Sequence, residues 1–298
     1  MNDLEQTAIE RLKAASDMSQ RLFKKPLGSP TPEGNARGEN PMRYIASISY
    51  GKDSLAQLEV IRSHGLPLTD IVTADIMATP TIPAYLPELV EFRERLDSEI
   101  KKRYGIQVTH VRSDLTFVDL FYRKLTERSK YTGICGWPPI FGHWCMTYLK
   151  KKPIQQYFHG LDCVEWIGIA ADEPARHAQL NERKRSALVE YGITESAAME
   201  ICKNLNWVSP TYLHAGRDGC WFCPCQGVAS LRRLYNEFPE YWEMMMGWDA
   251  DTEKRFKIDH TLADYDRRFQ MEAEGLLPSD DKKFRWSMLD GPLQMRLF

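Results

Sequence analysis

The stretch "SISYGKDSL", residues 47–55, brings a lysine, an aspartate and several serines together around a glycine. It is not a Walker A phosphate loop, because Ala46 stands where that loop needs its first glycine and Asp53 follows Lys52 in place of serine or threonine. The stretch does end a β-branched run and open a helical pattern, where unpaired backbone N–H groups and the helix dipole favour an anion. Gly51 allows close approach of the backbone, and Lys52 adds a cation. We therefore predict a phosphate site, with a capped helix start that binds nothing as the alternative.

Thiols form the second chemical feature of the sequence. Of seven cysteines, three lie within "CWFCPC", residues 220–225. An odd number of cysteines in a chain without a recognisable secretion signal disfavours a disulfide framework and favours metal binding or redox chemistry. Thiolates at the C-x-x-C spacing of Cys220 and Cys223 can face one metal ion from a tight turn. A structural zinc site and buried thiols without metal are the alternatives, and we interpret Cys163 and Cys202 as packing residues.

The composition is that of an ordinary globular protein, with 298 residues of which 43% are apolar and 27% charged. The longest apolar run, "VEWIGIAA", is interrupted by Glu165 and is too short to span a bilayer. The N-terminal stretch is charged throughout and lacks the apolar segment of a secretory signal, so we expect a cytoplasmic protein with no membrane partner. A net charge of −2 argues against electrostatic binding of nucleic acid by the whole molecule. The basic clusters at 122–130, 150–152 and 183–185 are interpreted mainly as solvated faces.

Hydrophobic periodicity divides the chain into three parts. The first, 1–41, contains an expected leading helix over 3–24 and a loop rich in Pro and Gly over 26–41. Strand and helix patterns then alternate through 42–215, which predicts an α/β fold with an open, doubly wound parallel sheet and ligands at the carboxyl ends of its strands. The last part, 216–298, is predicted to be mostly helical, with its Met and Trp residues in a core. The expected strands are 43–49, 70–77, 106–113 and 163–170, and the expected helices are 52–65, 87–105 and a stretch around 149–160.

Four segments carry a family resemblance. "SYGKDS" (49–54) resembles the S-G-G-x-D-S signature of the PP-loop ATP pyrophosphatases, with Tyr50 in place of the middle glycine. "HWCMTYLKKKPI" (143–154), "IGIAADEPARHA" (167–178) and "GCWFCP" (219–224) follow in that order. They are similar to the W-C-x-x-x-L-K-x-x-P, G-x-R-x-x-E-S-x-x-R and G-C-x-x-C-P elements of the phosphoadenosine-phosphosulfate-reductase-like branch of that superfamily.

This resemblance implies a fold of the adenine nucleotide alpha hydrolase type and a two-step reaction. Such enzymes bind ATP with Mg²⁺, adenylate an oxygen of the substrate with release of pyrophosphate, and let a sulfur or nitrogen nucleophile displace AMP. Loop amides and Lys52 would stabilise the charge that develops on the pyrophosphate. The residues carried over as nucleotide ligands are Ser49, Gly51, Lys52, Asp53 and Ser54, with Asp75 at the end of the second strand as a further contact. The expected catalytic residues are Lys52, Asp53, Lys150 and Arg176, the last two as phosphate-binding cations.

The resemblance also implies a metal cofactor. In the iron–sulfur members of the family, a cysteine at the place of Cys145 joins a distant C-x-x-C pair to hold a 4Fe-4S cluster. Here that pair is Cys220 and Cys223, and the fourth ligand would be Cys225 or Cys135, unless one iron stays open for a substrate or sulfide. Zn²⁺ held by the same thiolates is the alternative.

Departures from the family pattern bear on the substrate. The loop after the fourth strand usually carries Arg and Ser where this chain has Ala170 and Pro174, and no cysteine follows Cys225. Both features disfavour a phosphosulfate reductase.

We expect an AMP-forming ATP pyrophosphatase that serves sulfur transfer, with a sulfur donor such as a cysteine desulfurase. Its acceptor is a nucleic acid, as in tRNA thiolation or the DNA phosphorothioation served by close relatives of this branch, or a small molecule. The alternative from another class is a nucleotide-binding regulatory protein. Tyr50 and Ala170 would then mark a degraded catalytic site, with the cysteines holding structural metal.

Overall fold

The computed structural model describes residues 41–126, 133–139, 142–213 and 219–289. The leading helix expected over 3–24, the loop expected over 26–41 apart from its last residue, and residues 127–130 of the first basic cluster lie outside these ranges. The described residues form two compact units. The α/β unit comprises 41–117 and 145–213, and the helical unit comprises the described residues within 118–144 and 219–289.

A five-stranded parallel sheet forms the centre of the α/β unit, which confirms the predicted fold class. Its strands are β1 Arg43–Ile48, β2 Asp70–Asp75, β3 Val108–Arg112, β4 Cys163–Ile167 and β5 Lys184–Arg185. They lie in the order β3-β2-β1-β4-β5, and every neighbouring pair is parallel. Four strands match the expected ones. The fifth is two residues long and lies in the basic cluster 183–185, where no strand pattern indicates it.

Helices flank the sheet because their apolar residues recur at helical spacing. In α2, for example, Leu89, Leu96 and Ile100 are all buried in the same core as Leu55 and Leu58 of α1. The helices up to residue 213 are α1 Lys52–Ser63, α2 Pro87–Tyr104, α3 Phe117–Phe121, α4 Lys152–Phe158, α5 Pro174–His177, α6 Ala187–Glu190 and α7 Glu195–Asn204. A π-helical turn, Met146–Lys151, leads into α4, and a 3₁₀ helix, Pro210–Leu213, follows α7.

The order of strands changes direction at β1. The chain moves from β1 outward to β2 and β3 on one side, while β4 and β5 lie on the other side. Ser47 pairs with Ile167 and Ile48 pairs with Thr73, so the carboxyl end of β1 is flanked by both neighbours. In open parallel sheets, such a point leaves a crevice outside the carboxyl ends of the strands, where ligands bind. The segments that follow β1 and β4 therefore form the edge of the sheet at which a ligand is expected.

The helical unit is built around aromatic rings. It contains α8 Val228–Glu237, α9 Pro239–Ala250, α10 Leu262–Ala273 and a 3₁₀ helix, Trp286–Leu289. Trp221 stacks on Trp248 with 5.4 Å between ring centroids, and Trp137 lies 6.2 Å from Trp248. Met245 is fully buried. The prediction that Met and Trp side chains of 216–298 form a core is confirmed for Trp221, Met245 and Trp248.

The described residues of the segment 118–144 belong to the helical unit, although the nucleotide-binding domain expected over 42–215 includes them. The Trp137 indole N–H donates to Asp249 at 2.6 Å, which ties this segment to α9. The functional boundaries between domains stay a prediction. Among the described residues, no helix is both long and apolar enough to cross a membrane.

Candidate functional site

The loop between β1 and α1 turns within three residues. Tyr50 has a φ of 60°, in the left-handed region, and Gly51 precedes α1 in an extended conformation without a side-chain cap. Because the first N–H groups of any α-helix lack partners within the helix, this end of α1 is suited to an anion. The Ser54 hydroxyl braces the loop from inside: it accepts from the Ser49 N–H at 3.1 Å and donates to the Gly51 carbonyl at 2.9 Å.

Tyr50 adopts a backbone conformation that glycine would adopt without cost. A left-handed φ costs an L-residue roughly 1–2 kcal/mol. The side chain offsets this cost, because it is 1% exposed and its hydroxyl donates to the Asp97 carboxylate. The Arg93 guanidinium lies 4.5 Å from the centre of the Tyr50 ring. Burial raises the pKa of Tyr50 well above its usual value, so the hydroxyl keeps its proton and acts as a donor.

A buried ionic network extends from this tyrosine. His110 on β3 bridges two carboxylates, with 2.9 Å from Nδ1 to Asp75 and 2.9 Å from Nε2 to Asp97. Burial opposes its charge, but the hydrogen bonds to the two aspartates outweigh burial and raise the pKa of His110 to about 9. Asp75, at 2% exposure, also accepts a hydrogen bond from Arg93. Burial would raise the pKa of Asp75, but Arg93 and His110 together lower it.

Lys52 opens α1 and lies between two acids. Its ammonium group donates to Asp53 at 2.8 Å and to Glu195, the first residue of α7, at 3.0 Å. Burial would lower the pKa of Lys52, but these two partners raise it. Burial raises the pKa of Asp53 and outweighs the opposing effect of Lys52. Cys202 lies on α7, as Glu195 does, and its thiol donates to the Lys52 carbonyl at 3.2 Å. Burial raises the pKa of Cys202 to about 12.

The segment after β4 lies against the start of α1. A Cβ added to Gly168 would lie 2.6 Å from the Ser54 nitrogen and 2.8 Å from the Asp53 carbonyl carbon, so only glycine allows this approach. Arg176 follows on α5, where its guanidinium donates to both oxygens of Glu173 at 2.8 Å and lies 3.5 Å from the Gly168 carbonyl. Glu173 also accepts from the backbone N–H of Ala170 at 3.1 Å, where the resembled family usually carries arginine. The segments that follow β1 and β4 are thus in direct contact.

The remaining predicted residues of the α/β unit lie in different settings. Ser49 is exposed at the loop, whereas Asp75 is enclosed by Arg93 and His110. Lys150 lies on the π-helical turn Met146–Lys151 and is partly exposed. The proposed roles of these side chains toward a nucleotide stay predictions.

The cysteine segment of the helical unit is a braced turn. The Cys223 N–H donates to the Cys220 carbonyl at 3.1 Å, and the Gln226 amide group donates to the same carbonyl at 3.0 Å. Lys257 donates to the carbonyls of Pro224 and Gln226, at 2.8 and 2.5 Å. These bonds hold the backbone around all three thiols of the segment.

The other cysteines expected as metal ligands belong to both units. Cys225 Sγ lies 4.0 Å from His143 Nε2 within the helical unit, and Cys135 is buried there with its carbonyl accepting from Lys254. Cys145 belongs to the α/β unit, directly before the π-helical turn. Within the described ranges, no three or more His, Cys, Asp or Glu side chains are gathered closely enough to hold a metal ion.

Sequence reasoning did not identify several residues of this site. Asp97, His110 and Glu195 have no motif around them. Asp97 on α2 and Glu195 at the start of α7 contact Tyr50 and Lys52 of the loop, and His110 on β3 contacts Asp97. Tyr212 is a further case, because its hydroxyl lies 3.9 Å from the position that a Cβ on Gly51 would occupy. The one signal available was Tyr50 itself, an aromatic residue at a motif position for glycine.

The described residues define an α/β protein with an open parallel sheet and a candidate anion-binding loop at its switch point. No family model matches the chain. A protein of Methanocaldococcus jannaschii described as uncharacterised is 21% identical in an alignment 214 residues long, which covers 67% of this chain and 40% of that relative. The chain thus spans less than half the length of the curated relative that it matches.

One solved structure is similar over most of the chain. It is the U34-tRNA thiolase NcsA from Methanococcus maripaludis with its 4Fe-4S cluster, at 13% identity, with 86% of this chain and 87% of that chain covered and a TM-score of 0.34. A similarity at this level carries no functional conclusion. The five parallel strands define the fold of this chain, and the loop after β1 is the feature that bears on its function.

Proposed function

We propose that this protein is an ATP-dependent PP-loop enzyme that adenylates a substrate with release of pyrophosphate, in the service of sulfur transfer. The observation that carries the proposal is the loop 49–54, which lies at the switch point of the sheet, begins a 12-residue helix and is contacted by Gly168 after β4. A pyrophosphate group at this place would meet the N-terminal N–H groups of α1 and the Lys52 ammonium.

The residues of the loop have different roles in this proposal. Lys52 stabilises negative charge that develops on the leaving pyrophosphate, while Ser54 keeps the loop in shape through its bonds to Ser49 and Gly51. Asp53, next to Lys52, would supply a carboxylate to the Mg²⁺ that accompanies ATP. Arg176 exchanges Glu173 for a phosphate when the nucleotide binds, since both carboxylate and phosphate match its planar fork.

The proposal also covers Lys150, Asp75, and the acceptor with its sulfur donor. Lys150 acts as a second phosphate-binding cation from the π-helical turn. Asp75 supports the nucleotide site through Arg93 and His110 because both of its oxygens have partners. The acceptor is a nucleic acid such as tRNA or DNA, or a small molecule, with sulfur supplied by a donor protein such as a cysteine desulfurase.

A 4Fe-4S cluster belongs to the proposal as a cofactor, with Zn²⁺ as the alternative. It is supported by the braced turn that carries Cys220, Cys223 and Cys225, whose thiols are of the type that both metals prefer. Cys145 would complete the set, with Cys135 as the alternative fourth ligand. Because the described donors are not gathered into one site, no step of the reaction is assigned to the metal.

The first test measures conversion of ATP to AMP and pyrophosphate with Mg²⁺ and a panel of acceptors comprising tRNA, duplex DNA and small carboxylic acids. We expect acceptor-dependent turnover, and a loss of more than about 100-fold in Lys52→Ala. Lys203→Ala is the matched control, because Lys203 is an exposed lysine of α7 whose ammonium group pairs with Glu200.

Two other outcomes would point elsewhere. ATP binding without turnover for every acceptor favours the nucleotide-binding regulatory protein, with structural metal at the cysteines. Release of sulfite from a sulfonucleotide in the presence of a thiol would favour a reductase, although Ala170 and Pro174 depart from that pattern.

A further inference from the structure

The backbone of Tyr50 is exceptional within the described part of the chain. Apart from glycines, only Tyr50 and Asn206 have a positive φ among the described residues. Asparagine tolerates this region because its short side chain can hydrogen-bond locally, whereas a bulky aromatic residue does not. Some other interaction must therefore select this conformation at Tyr50.

The side chain of Tyr50 provides that interaction. It is 1% exposed, it donates its hydroxyl proton to Asp97, and its ring faces the Arg93 guanidinium at 4.5 Å. Arg93 and Asp97 are four residues apart on α2 and so present neighbouring side chains. The Tyr50 ring is thus held between a cation and a carboxylate from one helix.

Both of these charged residues are fixed in turn by the sheet. Arg93 donates to Asp75 at the end of β2, and Asp97 accepts from His110 on β3. His110 also contacts Asp75, so the four charged side chains form a continuous chain from Arg93 to Asp97. Tyr50 contacts both ends of this chain. Tyr50 connects this rigid assembly to the loop before α1.

We propose that Tyr50 is a positioning residue for the pyrophosphate loop: its anchored side chain, through Asp97, holds the backbone of residues 49–52 in the conformation that receives the nucleotide. This inference rests on the proposed function, because it assumes that the loop binds the phosphates of ATP. It differs from the role of the motif glycine, which permits the left-handed turn but does not select it. A glycine at position 50 leaves the loop free to sample other backbone conformations.

The test compares three variants. Tyr50→Phe keeps the ring and removes the bond to Asp97, and Tyr50→Gly keeps the backbone freedom and removes the anchor. Tyr104→Phe is the matched control, because the Tyr104 hydroxyl also donates to a carboxylate in this unit, Glu59, at 3.3 Å but away from the loop. Each is measured for the dissociation constant of ATP, for hydrogen exchange of the peptide covering 47–55 and for thermal unfolding.

We expect Tyr50→Phe to weaken ATP binding about tenfold, the size of one hydrogen bond to a charged group, and to speed exchange of the loop amides. Tyr50→Gly weakens binding further. Tyr104→Phe leaves both readouts unchanged while lowering the unfolding temperature by a similar amount. In a double-mutant cycle, the effects of Tyr50→Phe and Asp97→Asn on ATP binding are less than additive, since both break the bond between Tyr50 and Asp97, while Asp97→Asn also weakens the bond to His110.

The outcomes separate this inference from the proposed function. If ATP binds to Tyr50→Phe and to Tyr50→Gly as it does to the unaltered protein, and loop exchange is unchanged, the positioning role is overturned and the proposed function stands. If the unaltered protein does not bind ATP, the proposed function fails. In that case hydrogen exchange still tests the positioning role. Faster exchange of the loop amides in Tyr50→Phe but not in Tyr104→Phe supports the role of Tyr50 in holding the loop, and exchange equal to that of the unaltered protein overturns this role.

Discussion

At the scale of single residues, the partners of Lys52 set the conditions for ligand binding. Its ammonium group donates to Asp53 and Glu195, so a phosphate has to compete with two carboxylates for the same cation. Asp53 adjoins Lys52 in the loop, but Glu195 comes from α7 and is about half exposed. The two acids can therefore be separated by mutation.

We expect Glu195→Gln to tighten ATP binding about two- to fivefold, because a half-exposed ion pair contributes little and its loss frees Lys52 for phosphate. The dissociation constant is measured at low and at high salt, and the gain should shrink as salt screens the charges. Glu200→Gln on the same helix, which removes a partner of Lys203, serves as the control. Weaker binding in Glu195→Gln would show that the acid assists the nucleotide.

His110 makes stability depend on pH. Its pKa is raised from 6.5 to about 9 in the folded protein by the bonds to Asp75 and Asp97. The stabilisation is therefore fully present below about pH 6.5, declines as pH rises, and is lost above about pH 9, with a total of about 3 kcal/mol. We expect a larger fall in the urea midpoint between pH 6 and 9.5 in the unaltered protein than in His110→Gln. Equal falls in both would remove His110 as the cause.

At the scale of elements, the contact between the segment after β4 and the start of α1 depends on one glycine. In Gly168→Ala the new methyl group meets backbone atoms of Asp53 and Ser54, which have no flexible side chain to move aside. We expect a loss of roughly 1–3 kcal/mol in the free energy of unfolding and a loss of ATP turnover, measured by urea unfolding and pyrophosphate release.

The control for this change is Gly247→Ala. Gly247 lies in α9 with no atom within 4 Å of the added methyl group, so stability should stay equal or rise slightly. Unaltered turnover in Gly168→Ala would mean that the two segments move apart without consequence for the loop.

The sequence predicts the central elements of this fold well. A β-branched run, a glycine and then helical spacing place β1, the loop and α1, and the same periodicities place β2 to β4 and α2. The strand β5 escapes prediction because two charged residues carry no periodicity. Hydrophobic periodicity predicts an element only where the element is long enough for its pattern to repeat.

The candidate site is predictable only in part, for a related reason. Lys52 and Ser54 follow from a local motif, whereas Asp97 lies 47 residues from Tyr50 and meets it only after α2 packs on the sheet. The left-handed φ of Tyr50 is also hidden, since nothing in its neighbours along the chain requires it. Contacts made by tertiary packing leave no mark on the spacing of residues.

At the scale of the whole molecule, the cysteines test the sulfur chemistry of the proposal. We expect protein purified without oxygen to contain iron and sulfide with a broad absorption band near about 400 nm, and Cys145→Ser and Cys220→Ser to lose both. Cys163→Ser, on β4, is the control and should retain the iron. Stoichiometric zinc without iron would make the thiols a structural clamp, and the proposal would then be adenylation without sulfur.

The same preparation assigns the last ligand. Cys225→Ser and Cys135→Ser are compared, because Cys225 lies 4.0 Å from His143 whereas Cys135 is buried beside Lys254. We expect the larger loss of metal in Cys225→Ser, since its backbone belongs to the braced turn. Equal retention in both would indicate either a ligand other than these five cysteines or an iron that stays open for a substrate or sulfide.

Because Tyr50 is anchored by a distant residue, the hexapeptide "SYGKDS" would not keep its backbone conformation in another protein. Grafted after a strand of another scaffold, the hexapeptide would bring its aromatic ring without the aspartate 47 positions away that receives the hydroxyl, and its backbone would relax onto another path. The same dependence constrains descent. In a related protein with glycine at position 50, Asp97 and His110 would no longer be connected to the loop, and we expect substitutions at these two positions to occur together.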